Sequence, residues 1–392
     1  MIAGWAASFA LAIATSGALL LACSSDETPA VPTGGAAGSA GAAGSGNAAG
    51  APCTPPIGII DLATAKMLAP TLDALCVVAA QGDGTVRPLG ASVPYDLVSP
   101  LFSDYLVKTR TVRLPPGESA TYSPDGVFSF PVGTIFTKTF AYAEDLRAPK
   151  DRRHLVETRV LLKTPEDWLS LPYLWNEEGT VATLSVGGTI KPLSFVRGDG
   201  TPISLSYLVP NKNQCIKCHE DLAHTELIGP KARNLNRDFA YGDGTENQLA
   251  RWSRLGLLTG APDPASAPRL AAFDDVTETI ERRARSWLEI NCAHCHGERG
   301  AGRTSGLYLW AHVTDPAVLG ICKPPVAAGA GAGALSYDIV PGKPEQSILV
   351  YRMRSTDPAV MMPELGRAVV HEEGAALVED WVRQLPGGCG GP

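Results

Sequence analysis

Between residues 95 and 208 apolar positions alternate with polar ones. Val156, Thr158, Val160 and Leu162 share one face of the run His154–Leu162 at a period of two, and Ile135-Phe136-Thr137-Lys138-Thr139-Phe140 has the β-branched and aromatic make-up of a second strand. Turn signals separate such runs at Asp125-Gly126, Asn176-Glu177-Glu178-Gly179, Gly187-Gly188 and Asp199-Gly200. The pattern predicts an antiparallel sandwich of about 100 residues. Trp168, Tyr173 and Trp175 fit its core, with the lining of a ligand groove as the alternative.

Beyond residue 209 the period lengthens. Leu249, Trp252 and Leu255 recur at helical spacing within Glu246–Leu258, closed by Gly256 and Gly260. Val276, Ile280, Ala284, Trp287 and Leu288 form a stripe running into Cys292, and Leu377, Val378, Trp381, Val382 and Leu385 form another within Glu372–Leu385. The expected fold class is therefore multidomain: an all-β, sandwich-like N-terminal domain followed by a mainly α-helical region whose first and last helices pack together.

The front of the chain reads as an address. Residues 1–22 are apolar and uncharged and end in Leu20-Leu21-Ala22-Cys23, followed by Ser24-Ser25. This resembles the lipobox of bacterial lipoproteins, in which the cysteine is lipidated and becomes the new N-terminus. Each buried acyl methylene contributes about 0.8 kcal/mol to membrane binding. An ordinary signal peptide or a single membrane anchor is the alternative. Ser24 fits outer-membrane sorting better than inner. Thr33–Ala51 is almost wholly Gly, Ala and Ser, too poor in apolar surface to offset its ordering entropy. Residues 23–56 read as a tether, and the roughly 28 residues counted between lipid and fold have a mean span of about 30 Å as random coil.

The 392 residues carry 33 Lys+Arg against 40 Asp+Glu, a net charge of −7 with no basic stripe, which argues against a nucleic-acid binder. The one stretch apolar enough to enter a bilayer is the N-terminal run, which excludes a polytopic membrane protein.

The nine cysteines decide the chemistry. Cys215-Ile216-Lys217-Cys218-His219 and Cys292-Ala293-His294-Cys295-His296 are both C-x-x-C-H, the attachment signature of haem c (heme c). Two thiols add to the vinyl groups of the porphyrin, and the adjacent imidazole becomes the proximal iron ligand. A zinc site also gathers Cys and His, but gives no reason for His to follow the second Cys twice. Cys53, Cys76, Cys322 and Cys389 remain besides Cys23, an even set for an oxidising compartment. Cys53–Cys76 and Cys322–Cys389 are the favoured disulfides because each pair lies within one proposed domain, with free buried thiols as the alternative.

Met361-Met362-Pro363 stands between the two C-terminal stripes, and thioether sulfur suits the sixth position of haem iron. Met362 is chosen as ligand to the second haem over Met361, and Met353, within Ser347–Arg354, reads as packing. The sixth ligand of the first haem has no evident source. His154, His224, His312, His371 and Met67 are the candidates, and an open position is equally allowed. His224 lies five residues past His219, a reach of at most about 17 Å.

Five stretches taken together resemble a family of bacterial envelope dihaem c-type cytochromes of poorly defined role. They are Pro100-Leu101-Phe102-Ser103-Asp104-Tyr105, Val209–Cys215, Ile228–Asn236, Asn291–Gly297 and Met362–Gly366. The resemblance spans about residues 94–389 and implies a β-rich N-terminal part joined to a haem-bearing C-terminal part. Members are encoded beside a right-handed β-helix protein, which implies a partner of that kind. The resemblance supplies no catalytic residue.

The expected organisation is a signal peptide (1–22), a tether (23–56), a β-rich domain (57–208), a first haem-binding segment (209–270) and a cytochrome c domain with the second haem (271–392). The expected function is electron transfer by a lipid-anchored dihaem cytochrome on the periplasmic side of the envelope, with redox proteins as partners. Two alternatives stand beside it: a dihaem peroxidase-like enzyme with an open first iron, and a redox-linked binding module whose β domain grips a polysaccharide or partner.

Overall fold

Alternating strands build one six-stranded antiparallel sheet: β1 (Val93–Tyr95), β2 (Val107–Arg113), β3 (Ile135–Ala143), β4 (Arg153–Lys163), β5 (Trp168–Trp175) and β6 (Ala182–Leu184). Each strand pairs with its sequence neighbour, so the sheet is a simple meander. A long hairpin, β7 (Thr189–Val196) and β8 (Pro202–Val209), follows. The computed structural model describes Cys53, Ile60–Asp61, Lys66–Met67 and residues 69–326 and 328–390. The expected signal peptide, the lipidation site Cys23 and all of the tether except Cys53 lie outside the described residues.

One face of the sheet packs on Ala69, Leu72, Leu75, Val77 and Val78 through Ile135, Leu155, Val160, Leu162 and Tyr173. Threonines on that face bond in pairs, Thr111 to Thr137 at 2.6 Å and Thr139 to Thr158 at 2.8 Å, and Trp175 Nε1 donates to Thr158. The opposite face has two apolar ends. At one, Val112, Phe136 and Trp168 join Leu235, Leu249, Trp252 and Ile290. At the other, Phe140 and Val156 join Leu193, Phe195, Leu205 and Tyr207 of the hairpin. Each large side chain buried this way contributes roughly 2–3 kcal/mol. Trp168, Tyr173 and Trp175 are thus core residues.

Val156 departs from the expected face. The register steps from Phe140↔Glu157 to Ala141↔Leu155. This bulge leaves Val156 as the extra residue and turns it to the hairpin side, away from Val160 and Leu162.

The expected mainly α-helical cytochrome c-type region is not seen. Strand outweighs helix, 27% to 21%. Among the described residues the α-helices are α1 (Lys212–His219), α2 (Ala232–Leu235), α3 (Gln248–Arg254), α4 (Ile280–Leu288), α5 (Ile348–Arg354) and α6 (Glu372–Gln384), the longest having 13 residues. The apolar stripes fall on α3, α4 and α6, but Val276 precedes α4 and is 81% exposed, and Leu255 follows α3 and is 42% exposed. Helix α4 does pack on α6 through Trp287, Leu288, Val378 and Trp381. Gly and Pro between α4 and α6, such as Gly300, Gly302, Pro324-Pro325, Pro341-Gly342 and Pro363, keep the intervening chain irregular. The N-terminal part departs from a sandwich too, being one sheet with a two-stranded hairpin laid on part of one face. Cys53–Cys76 and Cys322–Cys389 are paired as disulfides.

The segment Pro100–Tyr105 ties the sheet side to the C-terminal side. Phe102 N–H donates to Asn291 Oδ1 at 2.7 Å, one residue before Cys292. Asp104 Oδ1 accepts the backbone N–H groups of Ala368 and Val369 at 2.6 and 3.0 Å. Tyr105 Oη donates to Glu373 Oε2 at 2.8 Å and accepts the Glu372 N–H at 3.1 Å. Asp104 is 1% exposed, so removing its carboxylate strands two backbone donors. Asp104→Ala is expected to lower stability by about 2–4 kcal/mol, with Asp104→Asn losing distinctly less, in denaturant unfolding monitored by tryptophan fluorescence.

Candidate functional site

The first C-x-x-C-H motif follows β8 after a single proline and occupies α1. Asn211 and Gln214 form a capping box, each side chain accepting the other's backbone N–H at 2.9 Å. Gly188 lets the hairpin close on this cap: it has φ +68°, and a Cβ there would lie 2.7 Å from Asn211 N. Burial raises the Cys215 thiol pKa, while Arg159 and a Ser170 hydrogen bond oppose the rise. His219 ends the helix with Nδ1 2.7 Å from the Glu226 carbonyl oxygen. A carbonyl only accepts, so Nδ1 carries the proton and Nε2 keeps a free lone pair. Burial holds the ring neutral, its pKa pushed down to about 4.

The second motif grows out of α4. Thr279 caps this helix, and its end widens into a π turn over Glu289–Ala293 that delivers Cys292. Burial lifts the Cys292 thiol to about 12. His296 Nδ1 is 3.2 Å from Ser305 Oγ, whose own proton goes to the Gly302 carbonyl at 2.7 Å. The hydroxyl must therefore accept from Nδ1–H, which leaves Nε2 of His296 free as in His219. Burial pushes this ring down to about 4 as well. The loop after the motif is wrapped so closely that a Cβ on Gly300 would lie 2.3 Å from the His294 carbonyl.

The two motifs, 77 residues apart in sequence, meet. Cys218, His294 and Cys295 line one cavity, and the Lys217 carbonyl, next to Cys218, lies 3.9 Å from Cys295 Sγ. Cys295 draws the Cys218 thiol pKa down, and Cys218 together with burial pushes Cys295 up. The segments behind the motifs are zipped together by the Leu222 N–H on the Arg299 carbonyl at 2.9 Å, by Arg299–Asp221 at 2.5 Å and by Arg303–Glu220 at 3.3 Å. These exposed pairs are worth little energy singly but fix the relative register of the two motifs.

All six motif residues, Met362 and His371 line one cavity of about 500 Å³, whose walls include Leu97, Leu227, Ile228, Leu307, Leu309 and Leu349. Such a volume with apolar walls suits a small-molecule or cofactor site. No family model, no curated protein and no solved structure matches this chain.

Met362 faces the cavity while Met361 is buried elsewhere. The Met362 loop is pinned at both backbone groups, its N–H on the Arg352 carbonyl and its carbonyl accepting from Arg367. Met353 is buried in the core of the C-terminal side, as expected. Of the proposed sixth ligands to the first iron, His154 bonds Glu144 and stacks on Tyr142, His224 is exposed, and His312 lies 3.5 Å from Arg233; none lines the cavity. The Met67 side chain lies outside the described residues. His371 does line the cavity, but its Nδ1 accepts Trp287 Nε1–H at 3.0 Å and its Nε2 lies 3.6 Å from Glu373. Neither nitrogen is left with a free lone pair.

Sequence reasoning overlooked His294, which occupies a variable position of the second motif. It lines the cavity with a buried Nδ1 that has no hydrogen-bond partner.

Burial and stacking on Phe102 keep His371 neutral, its pKa pushed down to about 4. A histidine depressed on folding contributes stability that is full above its unfolded pKa of about 6.5 and is lost as pH falls toward the folded value. From pH 7 to pH 5, wild type should lose about 2 kcal/mol more stability than His371→Gln, as read from urea midpoints at the two pH values.

Proposed function

We propose that this chain is a dihaem c-type cytochrome, carrying one porphyrin on Cys215, Cys218 and His219 and a second on Cys292, Cys295 and His296, and that it transfers electrons in the bacterial envelope. The observation that carries the reading is the meeting of both C-x-x-C-H motifs, with both histidines in the same Nε2-free tautomer, at one largely apolar cavity. Among the described residues no group of three or more His, Cys, Asp or Glu side chains could hold a metal ion alone. Two thiols and an adjacent imidazole at each motif are the residues that would hold a covalently attached porphyrin.

When bound, the porphyrin iron supplies one-electron chemistry between its ferric and ferrous states. The rest is the work of the chain. Cys215, Cys218, Cys292 and Cys295 tether, and His219 and His296 present a lone pair whose direction is fixed by Glu226 and Ser305. Met362 offers a soft sulfur to the second iron, and the apolar walls exclude water, which favours the less charged reduced state. The zipped segments behind the motifs keep the two sites adjacent, as rapid transfer between them requires. No helix among the described residues is long and apolar enough to cross a membrane. Attachment is assigned in this reading to lipid on Cys23, with envelope redox proteins as partners.

A peroxidase-like enzyme with an open first iron is the second reading, favoured by the placement of His154, His224 and His312 away from the cavity. Low-temperature EPR of the oxidised protein separates the two: only low-spin signals support the carrier, and a high-spin signal that responds to added cyanide supports the enzyme.

Intact mass of protein matured in a haem-attaching host should exceed the polypeptide by two porphyrins, and Cys215→Ala/Cys218→Ala should lose one of them. Absence of any porphyrin overturns the reading. Met362→Ala should lower the potential of one haem and leave the other in place, as followed by optical redox titration.

A further inference from the structure

The cavity-facing side of the sheet breaks a rule of cross-strand pairing. Arg110 on β2 stands directly opposite Lys138 on β3, and Lys138 stands directly opposite Arg159 on β4. Like charges so placed repel, and here all three line the cavity. Apolar rows flank them, Val112–Phe136–Leu161 on one side and Phe140 on the other.

Only Arg159 is fully answered, by a forked pair with Glu157 at 2.9 and 2.6 Å. Arg110, 5% exposed, gives one nitrogen to Asp96 at 2.5 Å and keeps Nη2 buried with no hydrogen-bond partner. Asp96 is itself shared with Arg237 at 3.5 Å. Lys138 has no hydrogen-bond or ion-pair partner among the described residues, only the Phe140 ring 4.9 Å from Nζ. Lys108, one row away, reaches the Leu101 carbonyl alone. Desolvation, then repulsion from the neighbouring cations, pushes the Lys138 pKa far down and that of Lys108 to about 7. Arg110 and Lys138 are thus left short of polar partners in a desolvated setting.

We propose that Arg110 and Lys138 form the binding site for the two propionate carboxylates of the porphyrin attached at Cys215 and Cys218. The inference rests on the dihaem reading. Its geometry comes from the sheet: Arg159, Lys138 and Arg110 line the same cavity as Cys215, Cys218 and His219, and helix α1, which carries the motif, packs on β5 next to β4. Strands are about 5 Å apart, so the row leads from the attachment side at β4 to Arg110 on β2, about 10 Å away. Vinyl and propionate groups occupy opposite edges of the ring. A ring tethered at the β4 end therefore carries its carboxylates toward Arg110 and Lys138, two incompletely answered side chains for two carboxylates. Bidentate capacity at Arg110 and a point charge at Lys138 are both suited to carboxylate.

The test compares the holoprotein with Lys138→Gln, Arg110→Gln and the conservative Lys138→Arg. Intact mass first shows whether two porphyrins are attached. Resonance Raman then reads the propionate bending bands, and optical titration reads the two one-electron waves. Expected are a shifted propionate band and a lowered potential for one wave in both Gln variants, with both restored toward wild type by Lys138→Arg. Two attached porphyrins with unmoved propionate bands in Arg110→Gln and Lys138→Gln would overturn the assignment and leave the dihaem reading standing. Wild type lacking porphyrin would overturn both. Should Lys138→Gln fail to accumulate, Arg110→Gln and Lys138→Arg decide the matter by the same bands.

Discussion

The meeting of the two C-x-x-C-H motifs at one cavity is the constraint around which the rest of the molecule is arranged. One motif is delivered by a hairpin and a capped eight-residue helix, the other by a helix that opens into a π turn. Neither route brings the two together. That falls to the zipped segments Glu220–Thr225 and Arg299–Arg303 behind the motifs, and to the Phe102–Tyr105 clip in front. The clip's contacts, on Asn291, on Ala368 and Val369, and on Glu372 and Glu373, bracket the second motif and the Met362 loop alike. Together these contacts hold the two locally formed motifs against each other.

What the chain alone reveals divides along the range of the interactions. Strands β3 and β4 and helix α6 are legible because a periodic apolar face needs only local information. Helix α1 carries no apolar stripe, only Cys215 of its eight residues being buried, so the Asn211–Gln214 capping signature alone announces it. The bulge at Val156 and the brevity of α3 and α5 depend on partners far along the sequence. The cationic row is half-legible: a lysine midway through Ile135–Phe140 is odd for a buried strand, but its alignment with Arg110 and Arg159 is a matter of register. His294 was hidden by a convention that treats the two inner positions of C-x-x-C-H as spacers.

The mistaken expectation of a helical domain has an instructive cause. Amphipathic stripes announce that a helix exists and which face is apolar; they say little about how much of the chain joins it. Between α4 and α6 the sequence spends its glycines on close approach, as at Gly300 against the His294 carbonyl, and not on helix termini alone. A loop that must wrap a pair of cysteines and a histidine cannot also be regular. The π turn at Glu289–Ala293 serves the same need: one wider turn places Asn291 to receive the Phe102 N–H and faces Cys292 to the cavity.

The two imidazoles reach one tautomer by different means, and the difference has an electronic consequence under the proposed reading. Glu226 offers a backbone carbonyl at 2.7 Å, a strong acceptor that draws the Nδ1 proton and makes His219 a more electron-rich ligand. Ser305 offers a hydroxyl at 3.2 Å whose lone pairs are also called on by the Leu307 N–H, a weaker pull on His296. An electron-rich ligand favours the ferric state, and thioether sulfur from Met362 favours the ferrous. Both effects push the two sites in opposite directions, the first toward donating and the second toward accepting. The surplus charge at Arg110 and Lys138 would work against that order if it stood alone. Paired with two carboxylates, as proposed, it would be cancelled at close range, and the direction of transfer would be left to the histidine partners and the methionine.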